Sequence, residues 1–216
     1  ESWVQRMLTI TGVRTWRELR GESCICIDEL PHKQSICTSR SFPDGGLANR
    51  ADVEEALANF AARCCSKMRR ENTVCKAISI FAYTNRFRPD LPTDYIYQTY
   101  YPLVPTSDLN EIVGYAVGML RSAWKGDGKF NYKKAGVLVW NIVDSSPIQG
   151  NLFDTFDREK QAQLSRAIDE INLKNGHNAI RMAVQGYSKK WHLKCEYISK
   201  QYTPNIDDII KLKLNK

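Results

Sequence analysis

Long apolar runs are missing from this chain. No stretch approaches the roughly 20 residues that a membrane-spanning helix needs, so no membrane partner is expected. The N-terminus lacks the basic-then-apolar layout of a secretory signal. Histidine is scarce: His32, His177 and His192 are the whole supply, and none is spaced with a cysteine as zinc ligands are. Glycine-rich phosphate loops are also absent, because Gly45-Gly46 and Gly126-x-Gly128 lack both the spacing and the lysine. No serine or cysteine stands in a nucleophile-elbow context. Paired carboxylates occur at Glu54-Glu55, Asp169-Glu170 and Asp207-Asp208, but adjacent helical residues point to different faces, and these pairs read as solvated surface. Together the absences exclude a metal site and leave no catalytic residue to name.

What is present is an ordinary globular composition. The 216 residues are 43% hydrophobic and 25% charged, enough for one large domain or two small ones. Net charge is +7. It is spread over both halves, with nineteen basic against sixteen acidic residues up to Asp144 and twelve against eight after it. This balance favours a polyanionic partner such as nucleic acid. Seven cysteines cannot all pair within one chain, and they read as buried thiols in a reducing cytoplasm.

Residues 1–21 read as a helix end and a short second helix, with Trp3, Val4, Met7 and Leu8 on one face, a break at Thr11-Gly12 and Thr15 as a cap. Residues 22–32 read as a linker. A strand is predicted over Lys33–Phe42, stopped by Pro43-Asp44-Gly45-Gly46. A helix follows whose apolar face is Val53, Leu57, Phe60, Ala61, Cys64 and Met68. Val74–Tyr83 reads as a buried strand, and Tyr95–Leu103 as another, with Pro102 near its end. Asp108 with Glu111 marks a helix start, whose core face would be Ile112, Tyr115, Ala116, Met119 and Ala123. Lys133–Val143 completes the set. The order strand–helix–strand–strand–helix–strand predicts an α+β fold, a four-stranded sheet with both helices on one face and the other face free.

Beyond a Ser145-Ser146-Pro147 break lies Gln149-Gly150-Asn151-Leu152-Phe153, where a polar residue and two apolar anchors at close spacing suit a peptide docking into a partner's pockets. A third helix is predicted over Asp157–Lys174 with Leu164, Ala167, Ile168 and Ile171 on its packed face, then a strand over Ala179–Gln185. Between His177 and Thr203, Arg181, Lys189, Lys190, Lys194 and Lys200 face a single acid, Glu196, with Tyr187, Trp191, Tyr197 and Tyr202 interleaved. That mixture suits stacking on bases and gripping phosphates, and equally a small core with a charged rim.

Several stretches resemble one family in its own order. Met7-Leu8-Thr9-Ile10-Thr11-Gly12 with Arg14-Thr15-Trp16-Arg17-Glu18-Leu19-Arg20-Gly21 is similar to the end of the thumb in Y-family DNA polymerases of the UmuC type, the catalytic subunit group of bacterial DNA polymerase V. Lys33-Gln34-Ser35-Ile36-Cys37-Thr38-Ser39-Arg40-Ser41-Phe42 resembles that group's first little-finger strand, and Tyr132-Lys133-Lys134-Ala135-Gly136-Val137 its last. Gln149–Phe153 stands where the family carries its sliding-clamp motif, Gln-Leu-x-Leu-Phe, with Gly150 in place of the usual leucine. Ser199-Lys200-Gln201-Tyr202-Thr203 is similar to its C-terminal Ser-Pro-Arg-Tyr-Thr.

The resemblance implies a division of labour. Residues 1–21 would be the remnant of the thumb, 22–32 a linker, 33–143 the little finger, 144–156 a second linker with the clamp motif, and 157–216 a small basic region. The two metals of the parent polymerase, expected to be Mg, belong to palm carboxylates in sequence preceding Glu1, so this stretch is not expected to synthesise DNA by itself and needs no cofactor. Ala167-Ile168-Asp169-Glu170 echoes the palm's Ser-Ile-Asp-Glu but lies on the wrong segment. The little finger grips the DNA backbone in an error-prone, translesion role of the SOS response, which calls for cations and hydroxyl donors rather than base-reading pairs. The residues expected to do this are Lys33, Ser35, Ser39, Arg40, Arg86, Arg88, Lys133 and Lys134. Gln149, Leu152 and Phe153 would hold the sliding clamp, and a UmuD-type subunit and a recombinase filament are further partners the resemblance implies. Two other readings stay open: a single-stranded RNA-binding module of the same strand order, although Tyr95–Leu103 lacks that class's glycine, and a regulatory α+β domain with no nucleic acid.

Overall fold

The computed structural model describes residues 1–24, 32–43, 45–146, 148–176, 178–187, 190–192 and 197–210. The chain divides into two compact units, Glu1–Lys33 and Gln34–Lys216.

Among its described residues the first unit holds α1 (Ser2–Glu18), two helical segments meeting at a kink at Thr9, whose φ of 60° and ψ of −169° leave the helical region. The expected break at Thr11-Gly12 therefore falls two residues earlier. The fold-back at Thr9 brings the chain close to itself: a Cβ at position 12 would lie 2.2 Å from the Leu8 Cβ, and glycine leaves that space free. Thr15 is not a cap. Its hydroxyl donates to the Thr11 carbonyl at 3.2 Å within the helix. Trp3, Met7 and Leu8 are exposed and Val13 alone of this helix is buried. Of the expected linker, residues 25–31 lie outside the described residues.

The second unit carries the α+β fold expected from the sequence. Its order is β1 (Ser35–Ser41), α2 (Arg50–Arg70), β2 (Thr73–Thr84), β3 (Tyr95–Tyr100), α3 (Leu109–Ala123), β4 (Tyr132–Asp144) and α4 (Arg158–Asn175). The strands form one antiparallel sheet in the order β1-β4-β2-β3. Asn49 opens α2 by accepting from the Ala51 amide, and Asp108 opens α3 by accepting from the Glu111 amide, each satisfying an orphan donor of the first turn. β3 stops at Tyr100, short of the expected Leu103, because Pro102 has no amide to continue a ladder.

Both helices cover one face. Ile36, Ile78, Ile80, Ile96, Val137 and Val139 of the sheet join Val53, Leu57, Phe60, Cys64, Ile112, Ala116 and Leu120 in a single core. The buried stripe of α3 is Ile112, Val113, Ala116, Val117 and Leu120. The expected face is rotated about the axis, leaving Tyr115, Met119 and Ala123 at the rim, because a helix over a sheet edge buries its central stripe and leaves one flank to solvent.

The C-terminal part departs most from expectation. Leu164 and Ile171 of α4 are exposed, and Ser165 is its buried residue. The helix presents a polar face to the rest of the unit: Arg158 reaches Glu111 of α3, Ser165 reaches Asp108, and Asp169 binds Arg69 of α2 through two bonds of 2.6 and 2.7 Å. Positions 158, 165 and 169 share one helical face, and charge pairing there outweighs the apolar periodicity. The expected strand at Ala179–Gln185 is irregular chain ending in one 3-10 turn, Ala183–Gln185. It packs on α2 through the Asn59 side-chain amide, which donates to the Gln185 carbonyl at 2.8 Å. Trp191 adds to the packing there, buried edge-on against Phe60 at 5.3 Å and donating to Glu55.

Candidate functional site

Antiparallel register sorts the sheet into two faces, since alternate residues point to opposite sides. Ser35, Cys37, Ser39 and Ser41 of β1 stand opposite Trp140, Leu138, Gly136 and Lys134 of β4. The last three face Ser79, Phe81 and Tyr83 of β2, which face Thr99, Tyr97 and Tyr95 of β3. These residues make up the face away from the helices. One row reads Ser41, Lys134, Tyr83, Tyr95, and the next Ser39, Gly136, Phe81, Tyr97.

The face is built, not merely left over. A Cβ at position 136 would lie 2.4 Å from Phe81 Cζ and 2.5 Å from Ser39 Cβ, so glycine there lets the Phe81 ring lie down across β4. Trp140 Nε1 donates to the Ser79 hydroxyl at 2.9 Å, and that hydroxyl is 2.8 Å from Thr99 Oγ1. Phe81, Tyr83, Tyr95 and Tyr97 follow one another as near-parallel rings with centroids 6.1, 6.4 and 6.3 Å apart.

The structure brings some of the predicted backbone-gripping residues together and separates others. Ser35, Ser39 and Lys134 share the open face. Arg40 belongs to the opposite row, beside Ala135, and is half-buried. Lys133 donates to the Phe42 carbonyl at 2.8 Å and fastens the strand end. Arg88 is held by Asp90 through two bonds of 2.8 and 2.7 Å, which also holds the Asp90 carboxyl down at about 2. Arg86 is exposed in the β2–β3 loop, and Lys33 is exposed in the first unit. The aromatic quartet is not among the residues expected from the sequence, although the alternation of Tyr95 and Tyr97 with Ile96 and Gln98 carries the signal.

The β2–β3 loop is anchored at its base. Tyr132 donates its hydroxyl to Asp94 at 2.6 Å, and Lys125 pairs with the same carboxylate. Burial by itself would raise the Asp94 carboxyl, but the bonds from Lys125 and Tyr132 prevail and hold it below its ordinary value. The folded value thus lies below the unfolded one of about 3.9, so the stabilisation is complete above that pH and is lost as pH falls through the folded value. Thermal unfolding of wild type should weaken progressively below about pH 4, with a shallower acid slope in Asp94→Asn. An unchanged slope in the variant would remove Asp94 from this role.

Of the paired carboxylates, Glu170 and Asp207 are the exposed surface expected, whereas Glu54 and Asp169 are held in ion pairs within the fold. Glu54 is buried and bound by Arg50 and Arg121, because its helix face turns toward α3. Cys64, Cys65 and Cys75 are buried. Burial pushes the Cys64 thiol up to about 11 and the Cys75 thiol up to about 12, far from the reactive thiolate. Cys37 is exposed on the open face. Cys26, Cys195, His177, Lys189, Lys194 and Glu196 lie outside the described residues. Among the described residues no cluster of three or more His, Cys, Asp or Glu could hold a metal ion, and no helix is long and apolar enough to cross a membrane.

Leu152 is 99% exposed and Phe153 81%. Asn151 holds them on a turn, its side chain accepting from the Phe153 amide at 2.9 Å and its carbonyl from the Asp154 amide at 3.0 Å. Gln149 is also exposed. A Cβ at Gly150 would meet no atom within 4 Å.

A sheet open on one face and backed by two helices on the other defines the class, an α+β fold of the little-finger kind. Residues 33–152 match the impB/mucB/samB family C-terminal domain, and residues 162–212 match a domain of unknown function, DUF4113. The chain is 34% identical over 215 residues to Protein UmuC of Salmonella typhimurium, covering 98% of this chain and 50% of that protein. It is 34% identical over 215 residues to Protein SamB of Salmonella typhimurium, covering 99% and 50%, and 34% identical over 203 residues to Protein MucB of Escherichia coli, covering 93% and 47%. This chain belongs to the impB/mucB/samB family. It spans about half the length of the curated relatives it matches.

Proposed function

We propose that this chain is the DNA-holding part of an error-prone translesion DNA polymerase, acting in the SOS response to DNA damage in the cytoplasm. The observation that carries the reading is the match of residues 33–152 to the family's C-terminal domain, whose open sheet face here carries Ser35, Ser39 and Lys134 on the same side. Hydroxyls and a cation on a flat face suit phosphate binding, which fixes position without reading sequence. A grip of that kind tolerates a distorted template, where a reader of base edges would stall.

The polymerase chemistry, with its two Mg ions, belongs in this reading to palm carboxylates that are not among these residues. In this reading residues 33–143 hold DNA, Gln149, Leu152 and Phe153 in the 144–156 linker engage the sliding clamp, and residues 157–216 meet a UmuD-type subunit or a recombinase filament. Residues 1–21 end the thumb and 22–32 link it to the little finger.

A salt titration of duplex binding by fluorescence anisotropy tests the DNA reading. Wild type should bind at low salt, with log affinity falling linearly against log salt. Lys134→Gln removes one phosphate-binding cation, so it should weaken binding to all sequences alike and make that slope shallower by about 1. Absence of duplex binding at low salt would return the fold to the reading of a regulatory domain without nucleic acid.

A further inference from the structure

Phosphate binding does not account for the other half of the open face. Phe81, Tyr83, Tyr95 and Tyr97 form a two-by-two array, with Phe81 opposite Tyr97 and Tyr83 opposite Tyr95. Tyr95 is 60% exposed and Tyr97 48%. Their ring planes lie 16°, 30° and 5° apart from one ring to the next, and Tyr95 and Tyr97 on the edge strand β3 keep much of their apolar surface in solvent.

Charge is arranged around this array in one direction. Lys134 stands directly opposite Tyr83, one strand spacing of about 4.8 Å away. Ser39 and Ser41 continue the same two rows on β1. Arg86 is exposed in the loop that leaves the Tyr83 end of β2. These two rows therefore grade from a cation and hydroxyls on β1 and β4 to aromatic rings on β2 and β3, of which Tyr95 and Tyr97 are exposed. A polyanion whose charged backbone runs beside unpaired planar groups matches that gradient, and single-stranded nucleic acid is such a polymer. A duplex matches only half of it, because its bases are stacked inside.

We infer that the Phe81–Tyr83–Tyr95–Tyr97 array stacks on unpaired bases of a single-stranded DNA segment whose backbone lies along Lys134, Ser39 and Ser41. The inference rests on the DNA reading given above and narrows its substrate to DNA carrying an unpaired stretch. Stacking is indifferent to base identity, since every base has a π face, so a damaged or unpaired template base would be received as readily as a normal one.

The rings also stabilise the sheet as cross-strand pairs, and a purely structural role would make no distinction between substrates. The test uses the whole chain and two labelled DNAs, a blunt duplex and the same duplex with a single-stranded extension, followed by anisotropy at fixed low salt. Wild type should prefer the extended DNA by about tenfold for one stacked base. Tyr95→Thr with Tyr97→Thr keeps residues suited to an exposed edge strand and should remove that preference while changing blunt-duplex affinity less than about twofold. Tyr95→Phe with Tyr97→Phe keeps the rings and should retain it. Lys134→Gln should weaken both DNAs together.

A threonine double variant that keeps the preference, or that loses both DNAs equally, overturns the inference. Wild type that binds the blunt duplex without favouring the extension overturns it too, and leaves the DNA-holding reading intact. Binding to neither DNA overturns both.

Discussion

Replacing Leu152 and Phe153 together by alanine is expected to abolish capture of this chain by an immobilised bacterial sliding clamp, with no change in folding stability. Both side chains are almost fully exposed, so truncation removes nothing the fold uses, and surface changes of this kind stay within about 0.5 kcal/mol. Their contribution arises only on burial in a partner. Leu and Phe are worth about 1.5–3 kcal/mol each when fully covered, so losing both costs on the order of a hundredfold to ten-thousandfold in affinity. The turn held by Asn151 presents the two anchors side by side, which limits the ordering cost of docking. Gly150 supplies the reciprocal test. Its backbone is not in the left-handed region and the space around it is open, so Gly150→Leu fits the unbound chain and should tighten clamp binding about tenfold. Retention of the double alanine variant on the clamp would discard the motif.

Arg158→Ala is expected to lower unfolding free energy by about 3 kcal/mol, the low end of the range for breaking a buried pair by removing one partner. Arg158 Nη1 donates to Glu111 Oε2 at 2.7 Å, while Nε and Nη2 bind Asp154 at 2.7 and 3.1 Å. The Glu111 side chain is almost wholly buried and its other oxygen already lacks a hydrogen-bond partner. Without the guanidinium it would be a buried carboxylate with no compensating charge. Arg158 is partly exposed, so water can reach the site, which is why the low end applies. In a protein of this size the melting midpoint should fall by roughly 6–12 °C. Adding Glu111→Gln to the variant should restore part of the loss, because the uncompensated charge is gone. A loss below about 1 kcal/mol would mean that the Arg158–Glu111 pair contributes no more than an exposed ion pair. Limited proteolysis should also cut within Arg158–Asn175 sooner in the variant than in wild type.

The Arg158 site shows where sequence patterning fails on this molecule. Leu164, Ala167, Ile168 and Ile171 recur with helical spacing, and that periodicity points to an inward apolar face. Glu111 and Asp108 on one side and Arg69 on the other instead pull a different, polar face of α4 inward. Nothing in the local sequence around α4 carries those partners, because they lie 47, 57 and 100 residues away. The α3 stripe was displaced for a related reason: which flank of a helix is covered depends on where the sheet ends beneath it, a tertiary fact.

The sequence alone determined the α+β order, the cap at Asp108 and the position of the Gln149–Phe153 stretch. Each of these rests on local chemistry, namely hydrophobic period, capping side chains and turn residues. Only the tertiary structure decided which cations face outward. Lys133 and Lys134 are neighbours in sequence, yet strand alternation gives one to the Phe42 carbonyl and the other to the open face. The aromatic array likewise exists only through pairing: Phe81 and Tyr83 meet Tyr97 and Tyr95 because β2 and β3 take that register, and Phe81 lies flat because residue 136 across the ladder is glycine. Pairing across strands sets the face, and the face sets what this domain is proposed to hold.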